Sequence, residues 1–180
     1  MELFDKEQLF SAAREAGFDY VTELDPSLIN PLEELRQMCE SNRCGNYNKN
    51  WACPPGSGTL EELKALCTGY EKGLLVQSVG ELEDSFDIEG MEHTGSLHKK
   101  RTNALNETLK GCFDDVLPMG AGACEICESC AYPEPCVHPD KRVVSLEAFG
   151  VFVSKLCEDC GAKYNHGPNT ITYTGCFLLK

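Results

Sequence analysis

Three cysteines with C-x2-C-x2-C spacing, Cys124, Cys127 and Cys130, are the residues with the clearest chemical meaning, and Cys136 follows after five further residues. On a tight loop, three thiolates at this spacing can each bind one iron of a cubane, while a fourth ligand comes from further along the chain. Bacterial ferredoxins use C-x2-C-x2-C-x3-C-P, so the first three positions match and the last gap is two residues longer. The spacing predicts a 4Fe-4S cluster on these cysteines, called below the four-cysteine site.

A second group, Cys39, Cys44 and Cys53, has C-x4-C-x8-C spacing and is followed by two prolines. Prolines after a ligand restrict the backbone and exclude water, as around a buried cluster. Three cysteines permit a cubane completed by a distant thiol, Cys136 or Cys67, or an incomplete cluster with one iron open. Zinc completed by a histidine is the competing interpretation. We call this group the three-cysteine site.

A structural zinc site is the alternative for the first group, because Cys124 and Cys127 can pair with a second C-x2-C at Cys157 and Cys160. The separation between the two pairs exceeds the roughly 15 to 20 residues of a zinc ribbon. Zinc would also leave two cysteines of the loop unexplained. The second pair ends an amphipathic helix, where the helix dipole raises a thiol pKa, so it is interpreted as incidental.

Composition excludes several functions. The 180 residues carry a net charge of −13, which gives no electrostatic footprint for nucleic acid or anionic lipid. No apolar run approaches the roughly 20 residues that span a bilayer. The sequence contains no G-x-S-x-G, P-loop or G-x-G-x-x-G motif. The motifs that carry the nucleophile of hydrolases and bind phosphate in NTPases and dinucleotide-binding proteins are therefore missing, and these functions are disfavoured. We expect neither a nucleic-acid nor a membrane partner.

The use of the 12 cysteines depends on the compartment. Residues 1–7 are acidic and show no apolar h-region or cleavage site, so the sequence predicts a cytoplasmic protein with reduced thiols. Of the histidines, His93, His98 and His166 keep no metal spacing with other ligands, and we predict that they are solvated surface residues.

Helices and strands must position these cysteines. Capping signals at Asp5 and at Thr59 with Glu62 predict helix starts, and Gly17 predicts a helix end. The order of elements predicts an α+β fold with a small mixed sheet, packed helices and two cysteine-rich cluster-binding loops, in one domain over residues 1–180. The predicted helices run from Asp5 to 17, from Pro31 through Leu35 and Met38 to 39, and over 59–67, 97–113 and 145–161; the strands cover 18–24, 73–79, 116–122 and 170–179.

The chain resembles a family of small prokaryotic, predicted metal-binding proteins of unknown function with iron-sulfur motifs. The resemblance covers roughly residues 39–179 and implies metal binding. The seven cysteines of the two sites match the family's motifs, whereas Cys67, Cys112, Cys157, Cys160 and Cys176 lie outside them. The other positions that carry the resemblance are Tyr47, Pro54, Pro55, residues 120–123, Val137, His138, Pro139 and residues 145–151.

These observations lead us to expect a protein with two 4Fe-4S clusters, held by Cys39, Cys44, Cys53, Cys124, Cys127, Cys130 and Cys136, that transfers electrons to a redox partner protein. One alternative is an enzyme whose three-cysteine site leaves an iron free to bind a substrate. Another is a zinc-stabilised interaction module without a redox role.

Overall fold

The computed structural model describes residues 5–180. The prediction that the chain has no export signal is based on residues 1–7, and residues 1–4 of this segment lie outside the described part. Within that range the chain folds into five α-helices and one five-stranded sheet, which confirms the α+β prediction. None of the helices in this part of the chain is long and apolar enough to cross a membrane. The elements are α1 (Lys6–Glu15), β1 (Tyr20–Glu23), α2 (Glu33–Glu40), α3 (Leu60–Leu66), β2 (Lys72–Glu81), α4 (Ile88–Lys110), β3 (Val116–Gly120), β4 (Val144–Ser145), α5 (Val153–Asp159) and β5 (Thr170–Leu179).

The sheet is open and mixed, with strand order β1-β2-β5-β3-β4. Its centre is the long antiparallel pair of β2 and β5, which runs from Lys72 opposite Leu179 to Glu81 opposite Thr170. The pair β3–β4 is parallel and sits at one edge. The 124–140 loop lies between β3 and β4 in the chain, so the four-cysteine site is attached to this edge of the sheet.

Hydrophobic cores cover both faces of the sheet, because alternate strand residues point to opposite sides. Leu74 and Val76 of β2 pack in a cluster with residues of α1 and α4, such as Leu105. Leu75 of β2 packs on the other face, in the cluster that contains Phe149 and the α5 residue Leu156. The helices are therefore shared between the two faces.

Helix ends agree with the capping signals. Asp5 and Gln8 form a capping box at the start of α1, and Thr59 and Glu62 form another at the start of α3. Gly17 has φ +100°, a left-handed conformation that glycine adopts without strain, just after α1 ends.

Helix α2 differs from its prediction at its start and in its buried face. It begins at Glu33 with Leu32 as N-cap, so Pro31 precedes the helix. Met38 is 65% exposed, whereas Arg36 is buried. The apolar pattern therefore predicted the wrong buried face of α2. The helix buries Arg36 instead, because its guanidinium donates hydrogen bonds to carbonyl oxygens inside the protein.

Helix α4 begins at Ile88, nine residues before the predicted start at 97. Its first half packs through small and polar residues, including Thr94 and Gly95, which are buried. A Cβ at Gly95 would lie 3.0 Å from the Tyr173 ring, so glycine permits the close approach to β5. This face lacks the apolar periodicity on which the prediction relied.

The prediction of one helix over 145–161 is wrong. Val144 and Ser145 form β4, a turn follows, and α5 covers only Val153–Asp159. The turn is fixed by the Ala148 N–H, which donates to Ser145 Oγ at 3.1 Å, and by Gly150, which has φ +73°. A Cβ at Gly150 would lie 2.7 Å from the Leu32 carbonyl oxygen. The segment that contains Leu32 therefore passes close to Gly150, and the predicted helix is interrupted at this contact.

Candidate metal centre

Two loops carry the seven candidate cysteines. The 41–58 loop connects α2 to α3, and Cys39 lies in the last turn of α2. Asn42 and Asn48 adopt positive φ angles of 51° and 56°, which break the chain direction after the helix. The 124–140 loop follows β3 and consists of bends, turns and irregular chain up to residue 138, where a short 3-10 helix, Pro139–Lys141, begins. The 41–58 loop is rich in Asn, Gly and Pro, and the 124–140 loop contains three prolines, which explains why neither continues the neighbouring element.

All four cysteines of the four-cysteine site line one cavity, and each is partly buried. The other polar contributors to its wall include Asn50 and Trp51 of the 41–58 loop and Arg142 from the segment before β4. The structure therefore brings together the C-x2-C-x2-C group and Cys136, and it closes the cavity with residues of the other loop. The cysteines that line the cavity are Cys124, Cys127, Cys130 and Cys136.

Hydrogen bonds join the two loops. Asn50 Nδ2 donates to the Cys124 carbonyl oxygen at 3.2 Å, and Trp51 Nε1 donates to the Glu134 carbonyl oxygen at 2.7 Å. Arg142 Nη1 donates to the Trp51 carbonyl oxygen at 3.1 Å. These contacts link residues more than 70 positions apart, so the two loops form one unit.

Aromatic packing reinforces this unit. The rings of Trp51 and Tyr132 make an edge-to-face contact with centroids 5.1 Å apart, and Tyr132 donates its hydroxyl hydrogen to Asn48 Oδ1 at 2.8 Å. A Cβ at Gly56 would lie 2.9 Å from both the Asn50 carbonyl oxygen and the Tyr132 ring. Glycine at position 56 therefore permits the two loops to approach closely.

The three-cysteine site lies beside the first. Cys39 is partly buried, Cys44 is exposed and Cys53 is buried. Burial, with smaller electrostatic contributions from Cys44, Cys39, Cys124 and Cys130, raises the pKa of the Cys53 thiol to about 11. Thiols of both sites are therefore within electrostatic range of Cys53.

Two more of the thiols have raised pKa values. Burial is the main cause for Cys39, where the nearby Arg36 charge acts in the opposite direction. Burial also raises the pKa of Cys124, against a backbone hydrogen bond from Ile126 that lowers it. Without a metal these thiols hold their protons at neutral pH, and metal binding must release them.

The fit of a cluster can be tested on the side chains around the thiols. Among residues 5–180, no three Cys, His, Asp or Glu side chains converge at the spacing of a single ion. A cubane binds its ligands at separate corners, so its thiols surround a space rather than one point. The cavity wall includes Arg142, whose buried Nε has no hydrogen-bond partner within residues 5–180. A guanidinium that has no carboxylate partner among residues 5–180 and has one buried N–H without an acceptor suits an anionic thiolate-bound cluster.

Arg36 supplies a second cation, which is buried beside the three-cysteine site. Its guanidinium donates short hydrogen bonds to the carbonyl oxygens of Ala148 and Gly58. Burial lowers its pKa, while the charges of Cys39, Glu33, Tyr47 and Cys53 act to raise it. Within the described part of the chain no carboxylate forms an ion pair with Arg36. Thiolates at Cys39 and Cys53 would supply the missing negative charge.

The remaining cysteines lie away from these loops. Cys67 packs against the core cluster that contains Cys157 and Cys176, with Cys160 at its edge. Burial is the first cause of the raised pKa of Cys176, and Cys67 and Cys160 raise it further. Of the two thiols considered as completing ligands for the three-cysteine site, Cys136 therefore lines the four-cysteine cavity and Cys67 lies in the core.

The histidine predictions have mixed outcomes. His93 is exposed as predicted, and His166 is half-buried, with its ring stacked on Tyr20 at 4.1 Å. The surface prediction for His98 is wrong, because this residue is completely buried. Its position in a helical stripe with Thr102 and Leu105 was the signal that sequence analysis overlooked.

Arg36, Asn50 and Arg142 are the site residues that the sequence analysis missed. All three act through backbone carbonyls that come close only in the folded chain. No spacing rule in the sequence connects such residues to the cysteines.

Fold and side-chain placement together define an α+β protein with two cysteine-rich loops that meet beside one edge of an open sheet. The chain belongs to the family described as predicted metal-binding protein (DUF2284), whose model matches residues 22–179. Metal binding is thus the property that the family assigns.

Two further comparisons complete the findings. Comparison with the curated proteins finds no match. A solved structure of epoxyqueuosine reductase from Bacillus subtilis is similar, with 11% sequence identity and a TM-score of 0.39. The match covers 97% of this chain and 45% of that one, so the chain spans about half the length of that enzyme.

Proposed function

We propose that this protein is a cytoplasmic, single-domain iron-sulfur protein that holds two 4Fe-4S clusters and exchanges single electrons with a partner protein. The observation that carries the proposal is the meeting of four cysteines of one loop around a single cavity, with Arg142 in its wall. A cluster bound there would supply one-electron redox chemistry.

In this proposal the chain's residues have separate tasks. Cys124, Cys127, Cys130 and Cys136 hold one cluster, while Cys39, Cys44 and Cys53 hold the other. Arg36, which is buried, and Arg142, which is partly buried, stabilise the negative charge that thiolate-bound clusters bring into the protein. Asn50 and Trp51 hold the loops together, which limits reorganisation when the charge of a cluster changes.

The surface of the 124–140 loop supports electron exchange with another protein. Cys136 is partly buried, and its neighbours Val137 and His138 are exposed. Glu125, Glu128 and Glu134 are also exposed on this loop. We therefore propose a redox partner with a basic docking surface, because complementary charge accelerates encounter between proteins.

The decisive experiment is an assay of iron and acid-labile sulfide on protein purified without oxygen. Two cubanes predict about eight iron and eight sulfide per chain. About four of each would leave only one cubane and contradict the two-cluster proposal. Zinc without sulfide would overturn the redox function and favour a metal-stabilised interaction module.

An enzyme with an open iron at the three-cysteine site is the second candidate. The absence of a fourth cysteine from that group in the sequence favours it, since Cys39, Cys44 and Cys53 supply three thiols. Addition of cyanide to the reduced protein tests it, because an exchangeable ligand position changes the cluster spectrum. An unchanged spectrum would favour the electron carrier.

A further inference from the structure

A second cavity, of about 120 Å³, lies between α4 and the segment that joins β3 to the 124–140 loop. It is distinct from the cysteine-lined cavity, although Cys124 and Ile126 contribute to both. The space is roughly ten times the 10 to 15 Å³ that one water molecule requires. It can therefore receive part of an organic molecule.

The charge around this cavity is opposite to that of the protein. Lys99, Lys100 and Lys141 line it, against one carboxylate, that of Glu125. Lys99 forms an ion pair with Glu125, which leaves Lys100 and Lys141 without a carboxylate partner among residues 5–180. In a chain with net charge −13, this is a local basic site. Such a site attracts small anions.

The wall also contains apolar and neutral polar groups. Ala121, Ala123 and Val143 supply apolar surface, and Asn103 of α4 supplies a hydrogen-bonding side chain. Gly122 has φ +69°, and a Cβ at this position would lie 3.8 Å from Lys99 Nζ. The small residues therefore allow a ligand to approach the backbone and the lysine at the same place.

We propose that this cavity binds a small organic anion, with a carboxylate or phosphate held by Lys100 and Lys141 and an apolar body against Ala121, Ala123 and Val143. Lysine fits this role because its ammonium group binds either anion as a point charge. The ligand would lie beside Cys124. A role for this ligand as a small-molecule redox partner of the cluster would rest on the proposed function. Binding itself does not rest on it.

Calorimetric titration of protein purified without oxygen tests the proposal. The probes are benzoate and phenyl phosphate, which share an apolar ring and differ in the anion, with benzyl alcohol as the neutral match. We expect one benzoate or one phenyl phosphate per chain, with a Kd of about 1 mM or tighter. The better of the two identifies the anion that the site prefers, and benzyl alcohol should not saturate the site.

A double variant, Lys100→Met with Lys141→Met, should weaken binding of the preferred probe by about tenfold or more. The matched control is Lys49→Met with Lys64→Met, which removes two exposed lysines elsewhere and should leave the affinity unchanged. Failure of both anions to saturate, equal binding of benzyl alcohol, or equal loss in the two double variants would each overturn the proposal.

The two proposals fail separately in this design. Iron and sulfide are measured on the same preparation before titration. Iron present without anion binding would overturn the site alone, and anion binding to protein without iron would overturn the proposed function and leave the site intact.

Discussion

Asn50 and Cys124 are joined by a hydrogen bond from the Asn50 amide to the Cys124 carbonyl oxygen, at 3.2 Å, although 74 positions separate them in the chain. Asn50 also accepts a hydrogen bond from the Ala52 N–H at 2.8 Å. Replacement of Asn50 by alanine removes both bonds and leaves buried backbone groups unpaired. We expect a loss of about 2 kcal/mol of stability, or roughly 4 to 8 °C in melting temperature.

Lys49→Ala is the control for this variant, because Lys49 is the exposed neighbour on the same loop. Melting is followed by circular dichroism, and cluster retention by visible absorbance during oxygen-free storage. Equal melting temperatures for the two variants would show that the hydrogen bond between the loops contributes nothing to stability.

The four-cysteine site predicts a partial loss of cofactor when one ligand is removed. Cys130→Ser should abolish about half of the iron and of the cluster absorbance, because only one of the two proposed clusters depends on it. Cys112→Ser is the control, since Cys112 lies after α4, where its thiol contacts the Thr108 carbonyl oxygen at 3.4 Å. Iron content that is the same in the two variants would contradict ligation by the 124–140 loop.

Most of the fold was predictable because its signals are local. The N-cap at Asp5, the capping box at Thr59 and the β-rich pattern of β5 depend on residues near one another in the chain, and the structure confirms them. The prediction failed where distant contacts override local pattern. Gly150 ends a helical stripe because the chain crosses Leu32 there.

The residues of the candidate site likewise fall into those that the sequence predicts and those that only the tertiary structure shows. The C-x2-C-x2-C spacing identifies Cys124, Cys127 and Cys130 as candidate ligands, because ligands of one cluster on a single loop have this spacing in ferredoxins. Arg142 and Asn50 act on backbone atoms of the other loop, so their roles depend on tertiary structure. No residue spacing in the sequence connects either of them to the cysteines.

The position of Arg142 predicts an electrostatic effect on the cluster proposed for the four-cysteine site. Reduction adds a negative charge, which the guanidinium stabilises, so Arg142→Met should lower the reduction potential. A change of about 1 kcal/mol corresponds to roughly 40 mV for one electron. Redox titration monitored by electron paramagnetic resonance measures the shift. Arg43→Met, which removes an exposed arginine, should shift the potential much less; equal shifts would contradict a specific role for Arg142.

Arg36 predicts a structural effect. Arg36→Met leaves the carbonyl oxygens of Ala148 and Gly58 without their donors, in the place where α2 packs on the turn after β4. We expect a loss of about 3 kcal/mol, since hydrogen bonds from a charged group are stronger than neutral ones. Thermal unfolding measures it. A melting temperature equal to that of Arg43→Met would show that these bonds are energetically unimportant.

The buried imidazole of His98 predicts sensitivity to mild acid. Burial, with smaller contributions from Arg101 and Lys99, lowers the pKa of His98 to about 3. The ring contacts Ser78 Oγ through Nδ1 at 3.1 Å. Unfolded chains protonate histidine below about pH 6.5, whereas the folded protein keeps His98 neutral until about pH 3. The stability that this difference provides is therefore complete above pH 6.5 and declines as the pH falls.

Between pH 6.5 and pH 5, linkage gives a loss of about 2 kcal/mol from His98, or roughly 4 to 8 °C in melting temperature. His98→Gln should lack this component, so its melting temperature should fall less between pH 7 and pH 5 than that of the unmodified protein. His93→Gln changes an exposed histidine of the same helix and should retain the full decline. Parallel pH profiles for the two variants would mean that His98 is protonated in the folded protein at pH 5. A histidine destabilises the protein in this pH range only when it is neutral in the folded state and protonated in the unfolded state.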